Sequence, residues 1–142
     1  MKLYLGADHG GFALKEELKS YLLGAGHEVL DLGTDSEESV DYPQYGKAVA
    51  EKVVAEPNSL GIIICGTGIG ISIAANNLPG ERAGLCFSTT HARLTRQHNN
   101  ANILALGGRT TGLEVAKDIV DTFLATAFEG GRHERRVQQL EG

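Results

Sequence analysis

The chain has 142 residues, 42% of them hydrophobic and 22% charged, with a formal net charge of −5 and a pI near 5.5. That length and balance suit one soluble domain spanning residues 1–142, large enough to bury a core. No apolar run approaches the ~20 residues of a membrane span, and the acidic balance disfavours a nucleic-acid or membrane-surface role, Arg132-His-Glu-Arg-Arg136 being a local exception. Cys65 and Cys86 both lie in apolar runs and suggest no disulfide framework. The sequence opens directly on a strand-like segment, so the expected location is a reducing cytoplasm.

Strand-like and helix-like segments alternate along the chain, which predicts an α/β fold with a parallel sheet. The first strand is Lys2–Gly6, followed by a glycine turn, Ala7-Asp-His-Gly-Gly11. Leu14, Leu18, Tyr21, Leu22 and Ala25 then repeat at helical spacing, and Gly24 and Gly26 mark the stop. Glu28–Leu32 is a short second strand. A polar stretch from Gly33 to Asp41 leads into a helix from Tyr42 to about Glu56, with Asp41 as N-cap and Gln44 three residues on. Leu60–Cys65 is an apolar, β-branched run that fits a central parallel strand. Gly66, Gly68 and Gly70 turn the chain into a short helix that Asn76-Asn-Leu-Pro-Gly80 interrupts. The fourth strand is Arg82–Phe87, with Ser88 capping a helix through His98. The fifth strand is Asn102–Leu106, and Gly107-Gly108 lead to a long helix lined by Leu113, Ala116, Val120, Phe123, Leu124 and Ala127. Gly130-Gly131 separates it from a last polar helix, Arg132 to about Leu140.

The turn after Cys65 is the richest in chemistry. Its glycines let the backbone approach a ligand, and the unpaired N–H groups of a helix start favour negative charge there. It matches none of the common phosphate loops. In a dinucleotide fingerprint the third glycine would fall one position after Gly70, and no acid follows at the required distance. The Gly-Lys-Ser/Thr of a P-loop is absent, and Ile71 stands where a cysteine phosphatase loop needs arginine. What remains is an anion-binding turn with a thiol, Cys65, and a hydroxyl, Thr67.

Cys65 is either a small buried hydrophobe or a thiolate favoured by the adjacent N–H groups and able to act as a base. Cys86, in mid-strand without a glycine nest, reads as core. Asp8-His9 ends the first strand, on the same sheet edge as Cys65 if the strands are parallel, as cap and loop residues or as site residues. His98-Asn99-Asn100 is a helix end or a source of proton transfer near neutral pH. The histidines show no metal-ligand spacing, and His27 and His91 read as structural. Arg132 and Arg136 share a helix face, as a solvated surface or a phosphate clamp to which Arg109 can add. Tyr42 is core or pocket wall. Together these residues imply a small anionic, phosphorylated substrate and isomerisation by proton transfer, with no metal or redox cofactor motif.

Across nearly its whole length the sequence resembles the type B ribose-5-phosphate isomerases of the ribose/galactose isomerase superfamily. The resemblance rests on Asp8-His9, Asp41-Tyr42-Pro43, Cys65-Gly-Thr-Gly-Ile-Gly-Ile-Ser-Ile-Ala-Ala-Asn76, Arg96-Gln-His-Asn-Asn100 with Asn102, and Glu129-Gly-Gly-Arg-His133 with Arg136. It implies a Rossmann-like α/β/α sandwich with a five-stranded parallel sheet and a C-terminal helix. It also implies a homodimer or dimer of dimers with active sites at the subunit interface. The implied reaction is cofactor-free interconversion of ribose 5-phosphate and ribulose 5-phosphate in the pentose phosphate pathway. By the same resemblance Cys65 moves the proton between C2 and C1, His98 opens the furanose ring, and Asp8 helps to position the sugar. The N–H groups of Gly66, Thr67, Gly68, Ile69 and Gly70 hold the enediolate oxygens, and Thr67 shuttles a proton between O1 and O2. His9, Arg109, Arg132 and Arg136 take the phosphate, while Asn99 and Tyr42 line the sugar site. Some branches of the family carry a glutamate base on the helix after the turn; Asn76 and Asn77 stand in that neighbourhood, so the chain is similar to the cysteine branch. A six-carbon substrate such as allose or galactose 6-phosphate, and a sugar-phosphate sensor without catalysis, are the rival expectations.

Overall fold

In the computed structural model, which describes residues 1–141, the apolar runs become strands β1 (Lys2–Ala7), β2 (Glu28–Asp31), β3 (Leu60–Cys65), β4 (Ala83–Leu85) and β5 (Ile103–Gly107). Six helices alternate with or follow them: α1 (Phe12–Gly24), α2 (Tyr42–Ala55), α3 (Ile69–Asn76), α4 (Thr89–Gln97), α5 (Leu113–Ala125) and α6 (Arg132–Leu140). All strand pairings are parallel, in the order β2-β1-β3-β5-β4.

Period-2 alternation divides the core between the two faces of the sheet. On one face Ile62, Ile64, Leu104 and Leu106 pack with Leu18 and Leu22 of α1, Ala92 of α4, and Ile119 and Phe123 of α5. On the other, Ile63, Cys65, Ile103 and Ala105 meet Val49 and Val53 of α2 and Ile71 and Ala75 of α3. The result is an α/β/α sandwich in which the central strands β3 and β5 are apolar on both sides, as buried parallel strands require. The chain leaves β1 and β5 towards one face and β3 towards the other, so these three neighbouring strands open a crevice at their carboxyl ends.

Most element ends agree with the sequence expectation to within one residue; one strand, one helix end and one cap depart from it for local reasons. β4 is shorter than Arg82–Phe87 at both ends: the Arg82 N–H donates to Asn102 Oδ1 at 2.9 Å and the Phe87 N–H to His91 Nδ1 at 3.2 Å, neither to a ladder partner. α5 stops at Ala125: Thr126 turns to extended backbone, and its carbonyl accepts from Arg96 Nε at 3.1 Å. Asp41 does occupy the N-cap of α2, but its side chain accepts no capping hydrogen bond, so the expected capping box is not formed. Ser88 caps α4 as expected, accepting from the His91 N–H at 3.1 Å.

Candidate active site

The register of the central strands sets Ala7 opposite Ile64 and Cys65 opposite Gly107, so the loops after β1, β3 and β5 emerge side by side. They are tied together by backbone hydrogen bonds: the Asp8 N–H donates to Ile64 O (3.3 Å), Gly108 N–H to Cys65 O (2.8 Å) and Arg109 N–H to Gly66 O (2.9 Å). Such close approach leaves little room for side chains, and a Cβ on Gly10 would stand 3.0 Å from the backbone nitrogen of Gly66.

Cys65, 5% exposed, ends β3 with Sγ accepting from the Gly68 N–H at 3.2 Å. Gly68 has φ 80°, a left-handed conformation that turns the chain into α3 and that a side chain would resist. Thr67 is exposed, and its Oγ1 accepts from the Ile69 N–H at 3.2 Å, which leaves the hydroxyl hydrogen to donate elsewhere. Two of the five N–H groups expected to face a ligand, those of Gly68 and Ile69, are therefore engaged within the turn itself.

Tyr42, at the start of α2, lies against this turn: a Cβ on Gly70 would come within 2.6 Å of its Cζ and 3.0 Å of its hydroxyl. Arg109 also lies against it, Nη1 being 3.2 Å from where a Gly66 Cβ would be. Asp8 is buried, and its Oδ1 accepts from the N–H groups of Gly10 (2.9 Å) and Gly11 (3.2 Å), closing the turn into α1. His9 accepts the Val40 N–H on Nδ1 at 3.1 Å, which leaves Nε2 for a ligand. Asp8, His9, Asp41, Tyr42 and Lys47 line an open cavity of about 610 Å³. Asp8, His9, Tyr42, Cys65, the Gly66–Gly70 turn and Arg109 thus share one edge of the sheet.

The remaining candidates do not join them within the chain. α4 and α5 run back along the sheet, so their C-terminal ends lie at its amino edge, where the Gly61 N–H donates to Asn102 O (3.0 Å) and the Asn102 N–H to Arg82 O (3.0 Å). Ile103 pairs with Gly61 at that edge and Gly107 with Cys65 at the other, a separation of roughly 13 Å for four parallel-strand steps. His98 is the C-cap of α4, and with Asn99, His133 and Arg136 it borders a second cavity of about 280 Å³. Arg132 and Arg136 are both exposed on α6, one turn apart.

One grouping escaped the sequence reading. Histidines that showed no ligand-like spacing are brought together: His98 and His133 stack with ring centroids 4.3 Å apart and planes inclined by 15°. Glu129 Oε1 lies 3.7 Å from His98 Nε2 and 3.4 Å from His133 Nε2. The three donor atoms fall within 4.8 Å of one another, but nearly parallel rings do not converge on one ion in both planes, so an ion-pair arrangement suits this geometry better than chelation. Burial pushes the His133 imidazole below its ordinary range, the charges of His98, Arg132 and Arg136 adding to this while Glu129 opposes. Only the Glu129–His133 spacing of four residues was visible in the chain. Cys86 is 1% exposed and its thiol is pushed up to about 12 by burial, in keeping with a core role.

A family model described as Ribose/Galactose Isomerase matches residues 3–140. The chain is 50% identical over 139 residues to ribose-5-phosphate isomerase B of Escherichia coli K12, covering 98% of this chain and 93% of that protein. It is 43% identical to the Mycobacterium tuberculosis H37Rv protein of the same name, covering 99% and 88%. Among solved structures it is similar to ribose-5-phosphate isomerase B of Clostridium thermocellum, with TM-score 0.98, 54% identity and coverage of 99% and 95%. The Thermotoga maritima ribose 5-phosphate isomerase aligns with TM-score 0.97 and 56% identity, covering 99% and 97%.

Proposed function

The chain belongs to the ribose/galactose isomerase family, and we propose that it interconverts D-ribose 5-phosphate and D-ribulose 5-phosphate through an enediolate. The observation that carries the reading is Cys65 Sγ at the carboxyl edge of β3, held by the Gly68 N–H in a glycine turn against which Tyr42 and Arg109 lie. In the open-chain aldose, Cys65 removes the C2 proton and returns it to C1. The proton on O2 passes to O1 through the Thr67 hydroxyl, so the C1 carbonyl becomes an alcohol as the C2 alcohol becomes a carbonyl. N–H groups of the Gly66–Gly70 turn stabilise the charge that develops on the two oxygens. Asp8 and Tyr42 orient the sugar.

Ring opening and most of the phosphate charge need residues from the opposite sheet edge, so we assign them to a second copy. A two-fold axis that sets two sheets antiparallel brings the amino edge of one to the carboxyl edge of the other. The partner's His98 and the partner's Asn99 then face the sugar, while His9 and Arg109 share the phosphate with the partner's Arg132 and the partner's Arg136. The exposed apolar residues Ile69 (51%) and Ile73 (59%), on one face of α3, and Phe87 (53%) after β4 supply a surface for that contact. The enzyme so described is a cytoplasmic homodimer, or a dimer of such dimers, working without a cofactor.

Incubating the purified protein with ribose 5-phosphate and assaying for ketose tests the reaction; binding without conversion would instead mark a sensor. In Cys65→Ser, turnover should fall by roughly 10²- to 10⁴-fold while substrate affinity changes little. Wild-type turnover in that variant would rule out the cysteine base. Because the family's description extends to galactose, kcat/KM should also be compared across ribose, allose and galactose phosphates.

A further inference from the structure

The segment Glu129-Gly-Gly-Arg-His133 does more than start a helix. The Glu129 N–H donates to Gln97 O at 3.1 Å, and Arg96 Nε donates to Thr126 O at 3.1 Å, so two hydrogen bonds strap the α5–α6 connection to the end of α4. Gly130 (φ 70°) and Gly131 (φ 56°) then reverse the chain directly into α6. This tight reversal lets Glu129 and His133 converge on His98, the carboxylate at the Nε2 edge of both rings and the His133 ring flat against the other.

We infer that Glu129 is a positioning residue for ring opening, holding the imidazole of His98 at the angle from which it exchanges protons with the sugar, with His133 as the stacking plate behind it. The inference rests on the assignment of ring opening to His98. In that step a proton leaves the anomeric hydroxyl and the C1 carbonyl forms. The C1–O4 bond breaks with its electron pair on O4, and O4 takes a proton. A histidine serving both oxygens must keep its orientation through the exchange. Glu129 supplies the opposite charge at the Nε2 edge, and a buried His133 that stays neutral can lie face to face with a protonated His98 without repelling it. The other charges acting on His133 are those of Arg132 and Arg136 on α6.

Ribulose 5-phosphate separates ring opening from carbon chemistry. Its phosphorylated C5 oxygen cannot close a furanose ring, so exchange of its C1 proton with solvent needs the base but no ring opening. In Glu129→Gln, turnover of ribose 5-phosphate should fall roughly tenfold while C1 exchange from ribulose 5-phosphate into D₂O stays within about twofold of wild type. Because the Glu129 charge opposes the downward push on His133, the same variant should also lower the His133 titration midpoint in an imidazole NMR titration. Equal loss of turnover and exchange, undiminished turnover, or an unmoved His133 midpoint would each overturn the inference. Wild-type protein that neither turns over ribose 5-phosphate nor exchanges C1 would overturn the underlying reaction as well.

Discussion

Glu81 sits at the foot of β4 with 6% exposure, and neither of its carboxylate oxygens has a hydrogen-bond partner among the described residues. Burial, partly offset by the nearby Arg82 charge and reinforced by Glu141, raises its pKa from 4.5 to about 8. Between those values the native state keeps a proton that the unfolded chain has lost. The stabilising contribution is therefore complete below about pH 4.5 and is lost as pH rises through about 8. Replacing the group with an amide removes the titration. Relative to Glu81→Gln, the wild type should lose on the order of 2–4 kcal/mol between pH 4.5 and 9, or roughly 6–12 °C in Tm. Thermal melts across that range check it, and parallel curves for the two proteins would refute it. Glu81 also marks a limit of sequence reading: Leu-Pro-Gly-Glu-Arg looks like an exposed polar turn, and only the packing of the chain around it buries the carboxylate.

At the scale of elements, the glycines before α6 set where its arginines stand. Gly131 combines φ 56° with ψ −130°, a conformation that a Cβ disfavours, and no atom crowds the position. The effect of Gly131→Ala should therefore be conformational, about 1–3 kcal/mol, lowering Tm by roughly 3–9 °C. If Arg132 and Arg136 hold the phosphate, the same variant should raise KM several-fold with a smaller change in kcat, because such binding is largely uniform. A lowered Tm with unchanged KM would remove the clamp from α6. These glycines were legible as a helix break, just as the apolar runs ending in glycine were legible as β1, β3 and β5. Local chemistry marks such places, because a turn needs a particular residue at a particular position. The Glu129–His98 approach has no local mark, since the two residues belong to different helix ends joined only by the fold. The same holds for Lys15, which interrupts an apolar helix face in the sequence. Its Nζ is buried against Asp31 Oδ2 and Thr34 O, both at 2.8 Å, anchoring the loop that carries Val40 to His9.

At the scale of the whole molecule, the alternation of strand and helix constrains the site more than any motif does. In a parallel sheet every strand ends at one edge and every returning helix ends at the other. Cys65 ends a strand and His98 follows a helix, so one copy cannot bring them together without breaking the fold. This consequence was already contained in the order of the elements. It makes the proposed shared site testable by mixing two defective chains. Cys65→Ala lacks the proposed base but keeps His98, and His98→Ala lacks the proposed ring-opening group but keeps Cys65. Each should be nearly inactive alone. Co-expressed and assembling at random, they give a population in which about half the dimers are mixed, and each mixed dimer has one site intact in both groups. Turnover should recover to about a quarter of wild type per chain, since half the dimers carry one working site of two. A mixture no more active than its parents would mean that the two groups do not meet across an interface. Recovery abolished by Ile73→Glu would in turn identify the exposed face of α3 as the surface that brings the copies together.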